Sequence, residues 1–268
     1  MSDRKLYRFN KKIALDKAKR ERLEKDIDDY RIFSEVFDAS TLMAVYDMLS
    51  RGVISNVHGC IRMGKESCIH LAESGEDVLV LKIYRMATSD FRDMWQYLGS
   101  DPRFRDLNRR RRDVIYTWAS REFKNLKRAQ RAGCSSPIPK RCHRNLVIME
   151  CIERDGLPAP RLIDRRSEDP EGELESIFGN YRTLYREAEL VHGDLSAYNI
   201  LLSDDGPVFI DFSTGTVKEN PTSTNLLFRD IENVISYYTK QGVGGDVQSV
   251  AERITGKKGI APDESIAI

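Results

Sequence analysis

The chain has 268 residues, of which 40% are apolar and 32% charged, and its 43 basic side chains nearly balance 42 acidic ones. This composition excludes a disordered chain, and the length suits one domain of two lobes or two small domains. The balance hides an asymmetry, because residues 1–150 carry 31 basic and 21 acidic side chains and residues 151–268 carry 12 and 21. An asymmetry of this size indicates a polyanionic partner for the basic half.

Neither a membrane span nor a secretory leader is expected. The sequence holds no run of about 18 apolar residues, and its first residues lack the apolar stretch of a signal peptide. We therefore predict a cytoplasmic protein without a membrane partner. The cysteines are odd in number and form no Cys-x-x-Cys pair, which argues against a disulfide framework and a structural zinc site. They are Cys60, Cys68, Cys134, Cys142 and Cys151.

The first predicted elements are a charged arm and a short helix. Residues 3–31 are dense in charge, which favours a solvated helix or a mobile arm. An amphipathic helix is predicted after Asp38, ending at Gly52. Its apolar face is drawn from Val36, Met43, Val45, Tyr46 and Leu49.

A run of strands, a loop and a long helix come next. Three strands alternate through residues 53–84 around glycine-containing turns, the third being the apolar segment 78–84. Residues 99–113 predict a flexible loop, since they contain Asp101-Pro102 and the block Arg109–Arg112. A long helix is predicted from Asp113 to Arg131, before Gly133.

The second half of the sequence is mostly helical in pattern. A strand at 146–149 is followed by a stretch, 155–176, that is poor in core residues. Further elements are predicted as a helix at 177–189, a strand at 208–210 and a helix at 224–240. The order gives an α+β layout, with an arm and helical extension at 1–52, a sheet lobe at 53–150 and a helical lobe at 151–268.

Three polar residues carry the strongest chemical signal. Asp194 and Asn199 are five residues apart, a spacing that suits a loop folding back on itself, and Asp211 ends an apolar strand. Two carboxylates and an amide suit phosphoryl transfer: hard oxygen atoms hold Mg²⁺ while a separate carboxylate orients the attacking hydroxyl. A turn aspartate, a capping asparagine and a strand-end aspartate are the alternative.

Lys82 and Glu122 are charged residues in apolar patterns. Lys82 lies in the strand 78–84, where an ammonium is costly unless it meets an anion; an edge lysine reaching water is the alternative. Glu122 falls in the middle of the apolar stripe of the helix 113–131, four residues from Trp118 and from Leu126. We predict that Glu122 pairs with Lys82 and aims the ammonium at phosphates; a glutamate at the rim of the stripe is the alternative.

Two further segments have a bearing on phosphate binding. Residues 59–67 resemble a P-loop, but Glu66 stands where that motif needs Ser or Thr, so a glycine-containing turn between strands over the nucleotide fits better. The arginines of the basic loop could grip a phosphate backbone or line a solvated loop. They are Arg103, Arg105, Arg109, Arg110, Arg111 and Arg112.

The ordered set of glycine turn, Lys82, Glu122, Asp194 with Asn199, and Asp211 resembles the protein kinase core, in the form of the RIO family of atypical kinases. Residues 64–67 (Gly-Lys-Glu-Ser) and residues 194–199 (Asp-Leu-Ser-Ala-Tyr-Asn) look like that family's nucleotide and catalytic loops. The segment from Phe37 to Gly52 looks like the type-1 subfamily, and the short chain like an archaeal member. No Ala-Pro-Glu element follows Asp211.

The resemblance implies a bilobal kinase fold, with a small antiparallel-sheet N-lobe and a reduced helical C-lobe, and it implies residue roles. Lys82, held by Glu122, would bind the α- and β-phosphates of ATP, and Asp194 would be the catalytic base. Asn199 and Asp211 would bind Mg²⁺, for which Mn²⁺ could substitute. Residues implied to contact the nucleotide elsewhere are Lys65 and Ser67 at the triphosphate and the backbone of Glu150 and Ile152 at the adenine.

The resemblance also implies a serine/threonine kinase that acts in maturation of the small ribosomal subunit and phosphorylates itself. From the charge of the basic half, we predict that Arg109–Arg112 contact the RNA of that precursor. An aspartyl-phosphate on Asp211, and hence an ATPase cycle, is the alternative to transfer to serine. Two rivals stay open: a phosphotransferase for aminoglycoside- or choline-type molecules, and a kinase-shaped RNA-binding module without catalysis.

Overall fold

In the computed structural model, the described residues are 37–86, 91–104 and 110–266, and within 91–100 the side chains of 91–93, 96 and 100 are outside the description. The predicted arm at 3–31 therefore lies entirely outside the described residues, as do Val36, Arg105 and Arg109. The architecture is α+β, an antiparallel sheet followed by a largely helical part, and this confirms the predicted fold class.

One antiparallel sheet forms the N-lobe. Its strands lie in the order β1-β2-β3-β5-β4, so that β3 is central. In this sheet Lys82 of β3 pairs with Ile69 of β2 and with Val147 of β5. The strands are β1 Asn56–Met63, β2 Ser67–Ser74, β3 Asp77–Tyr84, β4 Pro139–His143 and β5 Leu146–Glu150.

A short helix, α1 (Ala39–Ser50), covers one face of this sheet. The Asp38 carboxylate caps it by accepting a 2.7 Å hydrogen bond from the backbone N–H of Thr41. Among the described residues of the predicted apolar face, Val45 is buried as predicted but three large apolar side chains are exposed, because the helix buries Thr41, Ala44 and Met48 instead. Those exposed side chains are Met43, Tyr46 and Leu49.

The predicted loop at 99–113 is shorter than expected. Helix α2 (Phe91–Ser100) reaches into it, a 3₁₀ turn follows at Pro102–Phe104, and helix α3 (Arg111–Arg131) starts before its predicted end. The loop was overestimated because Asp101, which looked like a loop residue, is completely buried against Arg103 and thereby orders this segment.

Helices dominate after Glu150. Helix α4 begins seven residues earlier than predicted, because Asp169 caps it at the backbone of Gly172 and Pro170 suits the first turn. Strand β4 and the last helix were not predicted. The elements of this part are β6 Glu153–Arg154, β7 Leu157–Pro158, a 3₁₀ turn Leu162–Asp164, α4 Pro170–Arg186, β8 Leu190–Val191, β9 Ile200–Ser203, β10 Gly206–Phe209, β11 Thr216–Val217, α5 Ser223–Thr239 and α6 Val247–Thr255.

Two apolar cores hold the molecule together. The smaller one lies between α1 and the sheet. The larger one starts on the other face of the sheet at Tyr84 and Met149, continues through Trp118 of α3, and extends to Tyr181 of α4 and Ile231 of α5. Helix α3 therefore connects the sheet to the helical part.

The sequence predicted neither a disulfide framework nor a membrane span. All five cysteines are free thiols. Across the described ranges, no helix is both long and apolar enough to span a bilayer.

Candidate active site

Lys82 lies at the centre of a buried charge cluster. Its side chain is only 5% exposed, and its Nζ atom lies 2.7 Å from Oε1 of Glu122 and 2.8 Å from Oδ1 of Asp211. Strand β3 supplies the lysine and helix α3 the glutamate, as the two sequence patterns predicted. The ammonium thus joins the sheet, the helix and the segment after β10.

The cluster compensates for the cost of burying charge. Burial alone would lower the pKa of Lys82, but the carboxylates of Asp211 and Glu122 outweigh it and raise that pKa, so the lysine stays protonated. The second oxygen of Glu122 accepts a 2.5 Å hydrogen bond from the hydroxyl of Tyr84. A buried ion pair needs such additional partners to be tolerated.

Asp211 is fixed by its backbone as well as by its partners. Its φ angle of +63° lies in the left-handed region, which costs a residue other than glycine about 1–2 kcal/mol. The hydroxyl of Ser213 donates to Oδ1 at 2.8 Å, on the same oxygen that meets Lys82. Burial raises the pKa of Asp211, but the neighbouring ammonium outweighs it and the net shift is downward. The strained backbone holds a permanent negative charge in one place.

Asp194 and Asn199 form the second half of the site. They lie in the loop between β8 and β9, where Asp194 is exposed. The Asn199 amide Nδ2 donates to the carboxylate of Asp194 at 3.0 Å and to its backbone carbonyl at 2.8 Å, so the loop folds back as the spacing predicted. Desolvation in the cleft and the nearby charge of Asp211 raise the pKa of Asp194. A raised pKa suits a group that accepts a proton.

The buried carboxylate of Asp230 supports this loop from below. Its oxygens accept hydrogen bonds from the backbone N–H groups of Gly193 (2.7 Å) and Leu195 (2.8 Å) and from the hydroxyl of Tyr181 (2.6 Å). The sequence analysis missed this supporting role. The signal was available, since Asp230 lies on the apolar face of α5, next to Leu227, in the way Glu122 lies on α3.

A set of buried polar side chains clamps the segment after Asp211. Asn125 of α3 donates to the carbonyls of Phe212 (2.9 Å) and Gly215 (2.7 Å), and Arg121 donates to Gly215 (3.1 Å). Arg103 donates to Asn125 at 2.9 Å and pairs with the buried Asp101. At Gly215 a Cβ atom would lie 3.0 Å from Asn125 Nδ2, so the clamp needs glycine there. The sequence analysis missed these residues too.

The remaining nucleotide-site candidates lie around the cleft without joining the charge cluster. Lys65 is exposed in the β1–β2 turn, and Ser67 pairs with Tyr84 across the sheet, on the face that carries Lys82. Glu150 ends β5, and its carboxylate accepts from the N–H of Ile138 at 3.0 Å. Within the described residues, no acceptor meets the N–H of Ile152.

The arginine block divides into separate environments. Arg103 is structural, because its guanidinium is used by Asp101, Asn125 and Gly215. The prediction that it is available to a phosphate backbone was therefore wrong, because each nitrogen of its guanidinium already donates to a protein acceptor. The three arginines at 110–112 are exposed at the start of α3.

A five-stranded antiparallel sheet whose central lysine binds a helix glutamate, followed by an Asp-x₄-Asn loop and an aspartate that also meets the lysine, defines a protein-kinase-like fold. The sequence model of the RIO domain matches residues 68–251. The chain is 36% identical to the RIO-type serine/threonine-protein kinase Rio1 of Methanocaldococcus jannaschii, over 98% of this chain and 94% of that protein. It is 38% identical to Rio1 of Haloferax volcanii, over 88% and 81%.

The chain belongs to the RIO family of serine/threonine kinases. The human serine/threonine-protein kinase RIO1 is 31% identical over 90% of this chain but only 47% of its own length. Among solved structures, the Rio2 kinase–ADP/Mg²⁺–phosphoaspartate complex from Chaetomium thermophilum has a TM-score of 0.61 at 21% identity, covering 81% of this chain and 66% of that one. This likeness supports the kinase fold.

Proposed function

We propose that this kinase uses ATP and Mg²⁺, with the Lys82–Glu122–Asp211 cluster as its centre. The observation that carries the proposal is the position of the Lys82 ammonium, which is held on one side by Glu122 and contacts Asp211 on the other. A protonated lysine inside the cleft would supply the charge that binds the α- and β-phosphates. The ADP and Mg²⁺ named for the related Rio2 structure agree with this assignment.

The rest of the nucleotide would lie along the sheet edge. Ser67 shares the face of Lys82, and Lys65 lies in the adjoining turn, so both are placed to line the triphosphate. At the other end of the cleft, Ile152 follows β5 with its N–H unused among the described residues. That N–H, together with the backbone of Glu150, would bind the adenine edge.

The residues proposed for Mg²⁺ have free oxygen atoms. Oδ1 of Asp211 is used by Lys82 and Ser213, whereas Oδ2 has no protein partner in the described part of the chain. The amide nitrogen of Asn199 is turned to Asp194, which leaves the amide oxygen for a ligand. One carboxylate and one amide oxygen, completed by phosphate and water, suit Mg²⁺, whose charge would neutralise the transferred phosphoryl group.

Asp194 would orient the hydroxyl that attacks the γ-phosphate. Its raised pKa and exposed position suit that task. Asp211 offers a second acceptor for the γ-phosphoryl group. Attack by its free Oδ2 would break the bond between the γ-phosphorus and ADP and form an acyl phosphate. Water would then release phosphate and restore the carboxylate.

Transfer to a serine and transfer to Asp211 give phosphorylated proteins that differ in their sensitivity to hydroxylamine. After incubation with γ-labelled ATP, a phosphoserine is stable to hydroxylamine, whereas an acyl phosphate on Asp211 is cleaved by it. We expect autophosphorylation on serine to survive the treatment in wild type and to disappear in Asp194→Ala. Complete loss of the wild-type label with hydroxylamine would instead assign the chemistry to Asp211.

We propose further that the kinase acts in the cytoplasm on precursors of the small ribosomal subunit and binds their RNA through its basic half. The excess of basic side chains in residues 1–150 supports this, as does the membership of the RIO family. The test compares wild type with Asp194→Ala for ATP turnover and for binding to precursor subunits. We expect turnover to be lost and binding to be retained; absence of turnover in wild type would favour a non-catalytic binding module.

A further inference from the structure

The outward face of helix α3 forms a basic groove outside the ATP cleft. A cavity of about 410 Å³ lies between this face and the end of α4, and we call it the α3 groove. It lies away from Glu122, because residues two positions apart point to nearly opposite sides of a helix. Its lining residues are Lys124, Lys127, Arg128, Arg131, Ala132 and Glu187.

Most of the positive charge in the α3 groove is not neutralised by the protein. Arg128 pairs with Glu189 at 2.9 Å, but Glu189 is shared with Lys218 at 2.7 Å. In the described part of the chain, Lys124, Lys127 and Arg131 meet no carboxylate within ion-pair distance. The groove is therefore positive even after its carboxylates are taken into account.

The arrangement of these cations is unfavourable for an isolated helix. Lys124 lies three and four residues before Lys127 and Arg128, and these two lie four and three residues before Arg131, so every pair at helical-neighbour spacing has the same charge. Like charges at these spacings destabilise a helix, and no acidic residue lies between them on that face. A bound polyanion would convert this repulsion into attraction.

The dimensions of the stripe fit consecutive phosphates. Seven residues separate Lys124 from Arg131, which corresponds to roughly 10 Å along the helix axis, the axial rise of about three nucleotides in one strand. Two half-buried rings stand beside the lysines: Lys124 lies over Phe104 at 5.6 Å and Lys127 over Phe123 at 5.4 Å. Aromatic faces next to cations are the combination that binds RNA bases and backbone together.

We propose that the α3 groove binds the phosphate backbone of RNA. This inference rests on the proposed function, in which the RNA of a ribosomal precursor is the expected polyanion. It assigns the RNA contact to Lys124, Lys127, Arg128 and Arg131 and not to the exposed arginines at 110–112. Because Glu122 lies on the inner face of the same helix, the RNA contact and the ATP cleft share one rigid element.

The test measures binding of a fluorescein-labelled single-stranded RNA by anisotropy across a range of salt concentrations. Lys127→Gln/Arg131→Gln removes two groove charges, and Lys257→Gln/Lys258→Gln removes two exposed lysines elsewhere as a matched control. We expect the groove variant to lose about tenfold or more in affinity, and the slope of log K against log salt to fall by about 0.7 for each lost contact. The control should change neither, and all variants should keep wild-type ATP turnover.

Each other outcome overturns the inference in a different way. If wild type binds RNA and the groove variant binds equally well, the α3 groove is not the contact, while the RNA-binding proposal stands. Loss of binding only in an Arg110→Gln/Arg112→Gln variant would place the contact at the start of α3. If wild type binds a polyglutamate peptide more tightly than RNA, the partner is an acidic protein. Absence of RNA binding by wild type would refute both proposals.

Discussion

The two aspartates of the cleft carry the same charge and are held in opposite ways. Asp211 is bound by Lys82 and Ser213, has a left-handed backbone, and lies in a segment whose carbonyls are clamped by α3. Asp194 is exposed, and its carboxylate accepts a hydrogen bond from the amide of Asn199. The pKa shifts have opposite directions, downward for Asp211 and upward for Asp194.

Under the proposed function, this difference separates two tasks for a carboxylate. A group that holds a metal must stay ionised and still, so it is surrounded by donors and by rigid backbone. A group that receives a proton must have a pKa closer to the working pH and must reach its substrate, so it has few partners. The difference between the two aspartates can be tested by removing the groups that produce it.

Replacing Lys82 should have the largest effect, because it removes the cation that fixes Asp211. We expect Lys82→Met to lower kcat/KM for ATP by about 10²–10³-fold. The same change leaves Glu122 buried and unpaired, which costs about 3–5 kcal/mol of stability.

A double variant separates the two consequences. In Lys82→Met/Glu122→Gln, the buried carboxylate is gone, so the free energy of unfolding should recover while ATP turnover stays low. Recovery of turnover together with stability would contradict a direct role for the ammonium.

His192 links the backbone segments that carry Asp194 and Asp211, so replacing it tests a contribution to stability that both segments share. Its Nε2 atom donates to the carbonyl of Ile210 at 3.0 Å, its own carbonyl accepts from Thr214, and its Nδ1 atom is buried with no partner among the residues that the structure describes. Burial lowers the pKa of His192 to about 4. The unfolded state therefore binds the proton more tightly, so the contribution to stability is complete above about pH 6.5 and is lost as the pH falls toward 4.

This pH dependence has an expected size of about 3 kcal/mol between pH 7 and pH 4. Urea unfolding of wild type and of His192→Gln at several pH values would isolate it as the difference between the two curves. Parallel curves would mean that His192 is not the group whose protonation destabilises the native state.

Replacing Asn125 should have the smallest effect, and this effect should be confined to the segment that carries Asp211. Asn125→Ala removes one donor from each of the carbonyls of Phe212 and Gly215, which costs about 0.5–1.5 kcal/mol for each lost hydrogen bond. We expect about a tenfold rise in the Mg²⁺ concentration needed for half-maximal turnover, because Asp211 is less well positioned.

Asn225 provides the matched control for that change. Its amide donates to the carbonyls of Asp263 and Ile266 in the C-terminal segment, away from the cleft. Asn225→Ala should lower stability by a similar amount and leave the Mg²⁺ requirement unchanged. If both variants shift the Mg²⁺ requirement equally, the clamp acts only through general stability.

The charged groups of the site were predictable because each violates a local pattern. Glu122 interrupts an apolar helix stripe and Lys82 an apolar strand, and the structure brings them together at 2.7 Å. The loop from Asp194 to Asn199 followed from spacing alone. The roles assigned to these residues remain predictions, as do the domain boundaries at 52 and 150.

Non-local contacts account for most of what was missed. Arg103 looked like one more loop arginine, yet its partners include Asn125 and Gly215, which lie 22 and 112 residues away. Helix α1 has apolar residues around most of its circumference, so the sequence does not say which side meets the sheet. Strand β4 begins with Pro139 and exposes Lys140 and Arg141, a pattern typical of an edge strand and easily taken for a loop.

The larger core has a consequence for how the protein unfolds. It runs from Tyr84 in the sheet through Trp118 of α3 to Ile231 of α5 without interruption. Since α3 contributes apolar side chains to both parts, neither part can lose its structure while the other keeps its interior dry. We therefore expect the two lobes to unfold as one cooperative unit, so that a nucleotide bound to the sheet, as proposed, would also protect the C-terminal helices from melting.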